Sequence, residues 1–276
     1  MNSLNRHGSS SRLAPRPLSI GGISAVFALW VSVGAHATTS SLASADLVQT
    51  SAPTIIRSTG AIEADVALFR ALLGGPDNGA MLGQQPSGRR EINWDGVPAL
   101  FTDVPTFPND FFNVNSPRGL IYETTGPGLE VSDRSFIDLG QQYAGEFIPF
   151  SGHKLFSPVG TNDVVARFVV AGSGTKAAVR GIGVVFCDVD KPGKSAIGLL
   201  GANGRDLGHF AAPVRSDRRG LSFVGIVFRK PVIETVRVVA GDSKLGDGEI
   251  DVSQGGLHDL VVMDDFIYGE PTAIGQ

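Results

Sequence analysis

Carboxylates set among apolar residues are the groups in this sequence best placed to do chemistry. The run from Asp259 to Tyr268 carries Asp264 and Asp265 between Met263 and Phe266. Side chains alternate between faces along an extended strand, so each face would hold one carboxylate among apolar neighbours. An unpaired buried carboxylate is costly and must find a cation or strong donors. Calcium is one answer, taking 6–8 oxygens at about 2.3–2.6 Å. Bidentate pairing with an arginine is another, and Arg89, Arg90, Arg118 and Arg237 are available. An exposed strand end is the third.

Asp188 and Asp190 form a second constellation. They follow Val184 and Phe186 at a spacing of two, which puts their Cα atoms roughly 6.6 Å apart if the strand continues. Such a pair can serve a metal, a ligand or glycoside hydrolysis. The following Lys191-Pro192-Gly193-Lys194 also fits a solvated rim where a strand enters a loop. Tyr122 and Tyr268 are candidate ligand contacts, because their hydroxyls suit a wet edge. Trp94 shares a face with Ile92 and reads as a core anchor. Phe101, Phe107, Phe111 and Phe112, interleaved with prolines from Pro98 to Pro117, read as a folded loop pinned by rings, with a sugar platform as the alternative.

Other chemistries find little support. There is no Gly-x-Ser-x-Gly elbow, and His153, His209 and His258 are widely separated. His-x-His, His-Glu-x-x-His and Cys-x-x-Cys do not occur, which argues against zinc. The glycine-rich segment 241–249 departs from an EF-hand loop because Lys244 and Leu245 fill positions that should offer oxygen or glycine. The single cysteine, Cys187, permits no intrachain disulfide and reads as a small buried hydrophobe.

The elements that must position these groups are mostly strands. Apolar or alternating runs at 91–94, 119–123, 146–150, 164–171, 177–189, 197–200, 207–211, 221–228, 233–240 and 259–268 are separated by Gly, Asn, Asp and Pro signals. Ala202–Asp206 contains Asn203-Gly204, a hairpin turn signal. One amphipathic helix is expected over residues 61–73, ending at Gly74-Gly75-Pro76. The class expected is all-β, an antiparallel jelly-roll-like β-sandwich with this short N-terminal helix, as one domain over residues 60–276.

The first 37 residues read as a secretory signal. Arg6, Arg12 and Arg16 precede an apolar run from Ile20 to Gly34 and the small-x-small triplet Ala35-His36-Ala37. Residues 38–59, rich in Ser, Thr and Ala, read as a flexible leader. The expectation is a soluble chain, secreted or periplasmic after cleavage near Ala37, with no membrane span in its mature part. Without the three signal arginines, 20 basic residues face 27 acidic ones, a balance that argues against a nucleic-acid partner.

Three blocks together, Gly88–Pro98, Asp110–Gly119 and Asp259–Pro271, with Val185–Asp190 between them, resemble a family of exported bacterial proteins to which no activity is assigned. That resemblance implies a secreted β domain. A looser similarity is to jelly-roll carbohydrate-binding modules, where acidic residues near the first and last strands hold a structural calcium. It implies Glu91 or Asp95, with Asp264 or Asp265, as metal ligands. The leading functional expectation is a secreted, non-catalytic binding module for a glycan or cell-surface ligand, with calcium as a possible stabilising cofactor. The alternatives are an extracellular polysaccharide hydrolase or lyase using Asp188, Asp190 or Glu123, and a structural envelope or matrix protein.

Overall fold

Two antiparallel sheets packed face to face convert the period-two patterns of the sequence into layers. The computed structural model describes residues 52–217 and 219–275; the signal segment and most of the leader lie outside them. The larger sheet runs in the order β1 (Thr54–Thr59), β11 (Leu221–Val227), β8 (Gly181–Cys187), β13 (Val262–Gly269), β5 (Leu155–Val159) and β4 (Gly128–Ser132), with β2 (Arg89–Ile92) also paired to β13. The smaller sheet runs β10 (Asp206–Ala211), β9 (Ala196–Leu200), β12 (Thr235–Val239), β6 (Asp163–Phe168) and β3 (Leu120–Glu123). A two-residue ribbon pairs β14 (Thr272–Ala273) with β7 (Ala177–Ala178). Among the described residues no helix is long and apolar enough to cross a membrane.

Alternation along β8 shows how the core is built. Ile182, Val184 and Phe186 face the space between the sheets, where they join Val224, Ile226, Met263 and Phe266 from the larger sheet and Tyr122, Ala166, Ile197 and Val236 from the smaller. Val185 faces the opposite side, in a cluster with Phe69 of helix α1 (Glu63–Leu73). Cys187 faces that side too, beneath Phe136, Tyr143 and Phe147. The larger sheet is therefore covered on both faces, which is why β8 and β13 read as continuous apolar runs.

Helix α1 buries Val66, Phe69 and Leu73 on one stripe, each contributing about 1.5–3 kcal/mol of apolar burial. Phe69 sits over the cross-strand pair Gly183 and Gly225, where an added Cβ would lie 2.7 Å and 2.5 Å from its ring. The two glycines are the notch that lets the helix approach the sheet.

Three sequence expectations need correction. The leader does not extend to residue 59: Thr54–Thr59 is an edge strand paired in register with β11, as its β-branched Thr54-Ile55-Ile56 allows. Residues 146–150 form no strand, because Phe147 folds over the outer face of the larger sheet. Strands β4 and β5 appear where none was expected. The hairpin signal at Asn203-Gly204 does join β9 to β10, with φ of 56° and 73°.

Candidate functional site

Five carboxylates converge where the chain leaves β8 and re-enters at β13. After Cys187 the strand ends, because Asp188 adopts a left-handed backbone with φ 73° and its N–H donates to the Gly220 carbonyl. Asp188 Oδ1 then accepts from the Arg219 N–H at 2.9 Å. Asp259, just before β13, accepts from the N–H groups of Asp190 (2.9 Å) and Lys191 (3.1 Å). Asp251 caps the turn Val252–Gln254, its Oδ1 accepting from Ser253 N at 2.7 Å and its Oδ2 from Leu260 N at 2.7 Å. Glu146 accepts from Ser253 Oγ at 3.1 Å and from Gln254 Nε2. Gly241 (φ 72°) presses against this corner; a Cβ there would lie 2.0 Å from the Asp259 carbonyl oxygen.

These contacts bring carboxylate oxygens of Asp190, Asp251 and Asp259 within 4.8 Å of one another, and likewise those of Glu146, Asp188 and Asp251. Glu146, Asp188, Asp251 and Asp259 are buried and Asp190 is partly so. Burial first, and then the Asp251 charge, push the pKa of Asp188 up to about 8 and of Asp190 up to about 7. Burial also raises Asp259 to about 6, against the two backbone bonds that favour its charged form. Lys191 turns its ammonium toward Asp242 at 3.1 Å, at the rim. The solvated-rim reading of Asp188 and Asp190 is thus corrected: both carboxylates turn inward.

The acidic residues that the looser resemblance brought forward sit elsewhere. Strand β13 bulges between Met263 and Phe266 relative to β8. One extra residue turns Asp264 and Asp265 to the same outer face, where strict alternation would have split them. Asp265 accepts from Arg70 Nη2 at 3.2 Å and from Ser151 Oγ at 2.5 Å. Glu91 takes the same Arg70 at 2.8 Å and Arg89 at 2.6 Å. The partner found for Asp265 is therefore an arginine, and it comes from helix α1. Arg90, Arg118 and Arg237 are used on Glu270, on the Glu91 carbonyl and on Asp163. Asp95 lies apart, accepting from the N–H groups of His153 and Lys154 and fixing that loop. Tyr122 and Tyr268 do not meet the wet-edge expectation, since both are fully buried. Tyr268 donates to the Arg118 carbonyl at 3.0 Å. Cys187 is buried, and its thiol donates to the Ile148 carbonyl.

Asp264 behaves as a neutral acid. Its Oδ2 accepts from Phe150 N (2.5 Å) and Ser151 N (3.1 Å), while burial and then the neighbouring Asp265 charge push its pKa up to about 9. A folded-state pKa raised above the ordinary carboxylate value means the fold holds a proton that the unfolded chain has released. Stability from this group therefore falls as pH rises from about 4 to about 9, by at most about 1.4 kcal/mol per pH unit for one proton. Asp264→Asn keeps the shape and replaces the acid proton with a permanent donor. Unfolding in guanidinium should show the variant gaining on the wild type between pH 5 and pH 8; parallel pH profiles would place the proton elsewhere.

No protein-family model, curated protein or solved structure matches this chain.

A cleft of about 980 Å³ opens at another part of the sandwich. Its frame is hydrogen-bonded backbone: Ile274 N donates to the Lys176 carbonyl beside the β7–β14 ribbon, Glu234 N to Leu200, and Gly201 N to Arg205 in the β9–β10 turn. Polar Thr175, Lys176, Asn203, Arg205 and Glu234 share the walls with apolar Ala178, Val232 and Ile274. Such a lining can meet a ligand that carries both hydroxyls and apolar faces.

Proposed function

We propose that this chain is an exported, non-catalytic β-sandwich module of jelly-roll type that binds a glycan or another cell-surface ligand. The cleft beside the β7–β14 ribbon carries the reading. A sugar ring has a rim of hydroxyls and two apolar C–H faces, and the cleft offers donors, acceptors and apolar wall on a preformed backbone frame. Lys176 and Arg205 outnumber the one carboxylate of the lining, Glu234, which favours a glycan bearing carboxylates.

Two of the carboxylates named for a hydrolase or lyase, Glu123 and Asp190, favour the non-catalytic reading. Glu123 is half exposed, and its carboxylate is taken up by Arg167 at 2.6 Å. Asp190 stands in a crowd of acids, one of its oxygens within 4.8 Å of oxygens of both Asp251 and Asp259, rather than as one member of a facing pair.

A glycan array followed by calorimetry on the purified protein tests this. The expected result is binding to acidic polysaccharides that drops at least tenfold in Lys176→Ala/Arg205→Ala, with an unchanged melting temperature. Turnover of the bound glycan, or equal binding by the double variant, would overturn the proposal.

A further inference from the structure

We infer that Asp190, Asp251 and Asp259, with Asp188 alongside, form a divalent-cation site that calcium fills. The place is separate from the cleft and from Asp264 and Asp265, and the inference stands independently of the glycan reading.

The spacing is the first argument. Two oxygens bound to one calcium at about 2.4 Å can be no more than about 4.8 Å apart, which is the separation within which these three carboxylates lie. The second argument is independent of the clustering. Asp188, whose carboxylate lies within the same distance of those of Asp251 and Glu146, is fully buried, and among the described residues its Oδ2 has no hydrogen-bond partner; Asp190 Oδ1 is buried and equally without one. A buried carboxylate oxygen left unsatisfied is expensive and calls for a ligand.

The surrounding backbone holds the carboxylates ready. Each oxygen of Asp251 and of Asp259 accepts one N–H, as does Asp188 Oδ1, so a second lone pair on each remains available. These bonds orient the ligands as outer contacts do in metal sites. The donor set is all oxygen, with neither histidine nor cysteine in the group, and this selects a hard cation. An irregular cluster gathered from loops suits the flexible coordination of calcium better than the octahedron demanded by magnesium. The ion would tie the end of β8, the turn at Val252–Gln254 and the start of β13 into one corner.

Chelator-stripped protein titrated with calcium chloride in a calorimeter, and melted with and without the ion, gives the test. The expected result is one site with Kd below about 1 mM, and a melting temperature raised by about 5 °C or more at a hundredfold excess over Kd. Asp190→Asn removes one charge from the crowd without changing shape. It should melt higher than wild type in chelator, yet lose at least tenfold in calcium affinity. Asp188→Asn serves as the second variant, with the same pair of outcomes expected. No heat and no shift at about 10 mM calcium, ten times the highest Kd expected, would overturn the site, as would undiminished binding in both variants.

Discussion

Arg90→Met is expected to destabilise the protein by about 3–5 kcal/mol, the range for breaking a buried ion pair by removing one partner. Arg90 is fully buried and uses its whole guanidinium fork. Nε and Nη2 donate to Glu270 at 2.8 Å and 2.7 Å. Nη1 donates to the carbonyls of Gly79, Met81 and Pro117, and Nη2 to that of Gly83. Methionine fills the stem's volume but leaves the Glu270 carboxylate buried without its cation and takes a donor from four carbonyls, of which only that of Gly83 keeps another, Gln85 Nε2 at 3.4 Å. Among the described residues Glu270 would retain Asn78 Nδ2 and Gln85 N. Arg90→Lys should recover little, since one ammonium has three donors and cannot reproduce the fork. Adding Glu270→Gln to Arg90→Met should cost less than the sum of the two single changes, because it removes the uncompensated charge. The midpoint of guanidinium unfolding should fall with an unchanged slope. A loss below about 1 kcal/mol would mean that segment 77–87 rearranges and solvates Glu270.

The sequence contained the halves of these arrangements more often than the arrangements. Arg90 and Glu270 stand in the blocks at Gly88–Pro98 and Asp259–Pro271, but their meeting depends on the register that sets Arg89 opposite Gly269. Period-two reasoning works within β2, where Arg90 and Ile92 turn inward and Arg89 and Glu91 outward. It fails at Asp264 and Asp265 because the bulge is fixed by pairing with β8, which no local pattern reveals. Arg70 was hidden in the same way, as the last-turn arginine of a helix whose docking on the sheet rests on Gly183 and Gly225. Strand β5 was obscured by Pro158, which argues against a strand within a sheet, and β4 by the buried Glu130 opposite Ser157. In the acidic corner, Asp188 and Asp190 were legible as a spaced pair. Asp251 and Asp259 lie some sixty and seventy residues further on, and only the pairing of β8 with β13 brings them back. The one local clue was Asp251-Val252-Ser253, a cap pattern before a short turn, and a cap alone names no ligand.

Trp94→Ala is expected to cost about 3–5 kcal/mol, the range for deleting a large buried aromatic side chain. Its ring stacks on Phe156 at 4.1 Å and 6°, and lies near Tyr122 at 5.8 Å. Phe107, Phe112 and Phe266 meet it edge-on at 5.5–6.2 Å. One side chain therefore joins the larger sheet through Phe156 and Phe266, the smaller through Tyr122, and the proline-rich loop through Phe107 and Phe112. Its Nε1 also donates to the Asp264 carbonyl at 2.8 Å, inside the bulge. Trp94 holds a left-handed backbone with φ 68°, a conformation that costs an L-residue about 1–2 kcal/mol, so the packing must outweigh that strain. Alanine keeps the strain and loses the packing. Trp94→Phe keeps most of the stacking but not the Nε1 bond, and should cost less than half as much. The difference between the two variants separates ring burial from the hydrogen bond that pins the bulge. For a chain of this size, each kcal/mol lowers the melting temperature by about 2–4 °C, so the alanine variant should melt about 10 °C lower by circular dichroism. A smaller drop in alanine than in phenylalanine would show that the left-handed turn, relieved of the ring, relaxes and repacks the aromatic cluster.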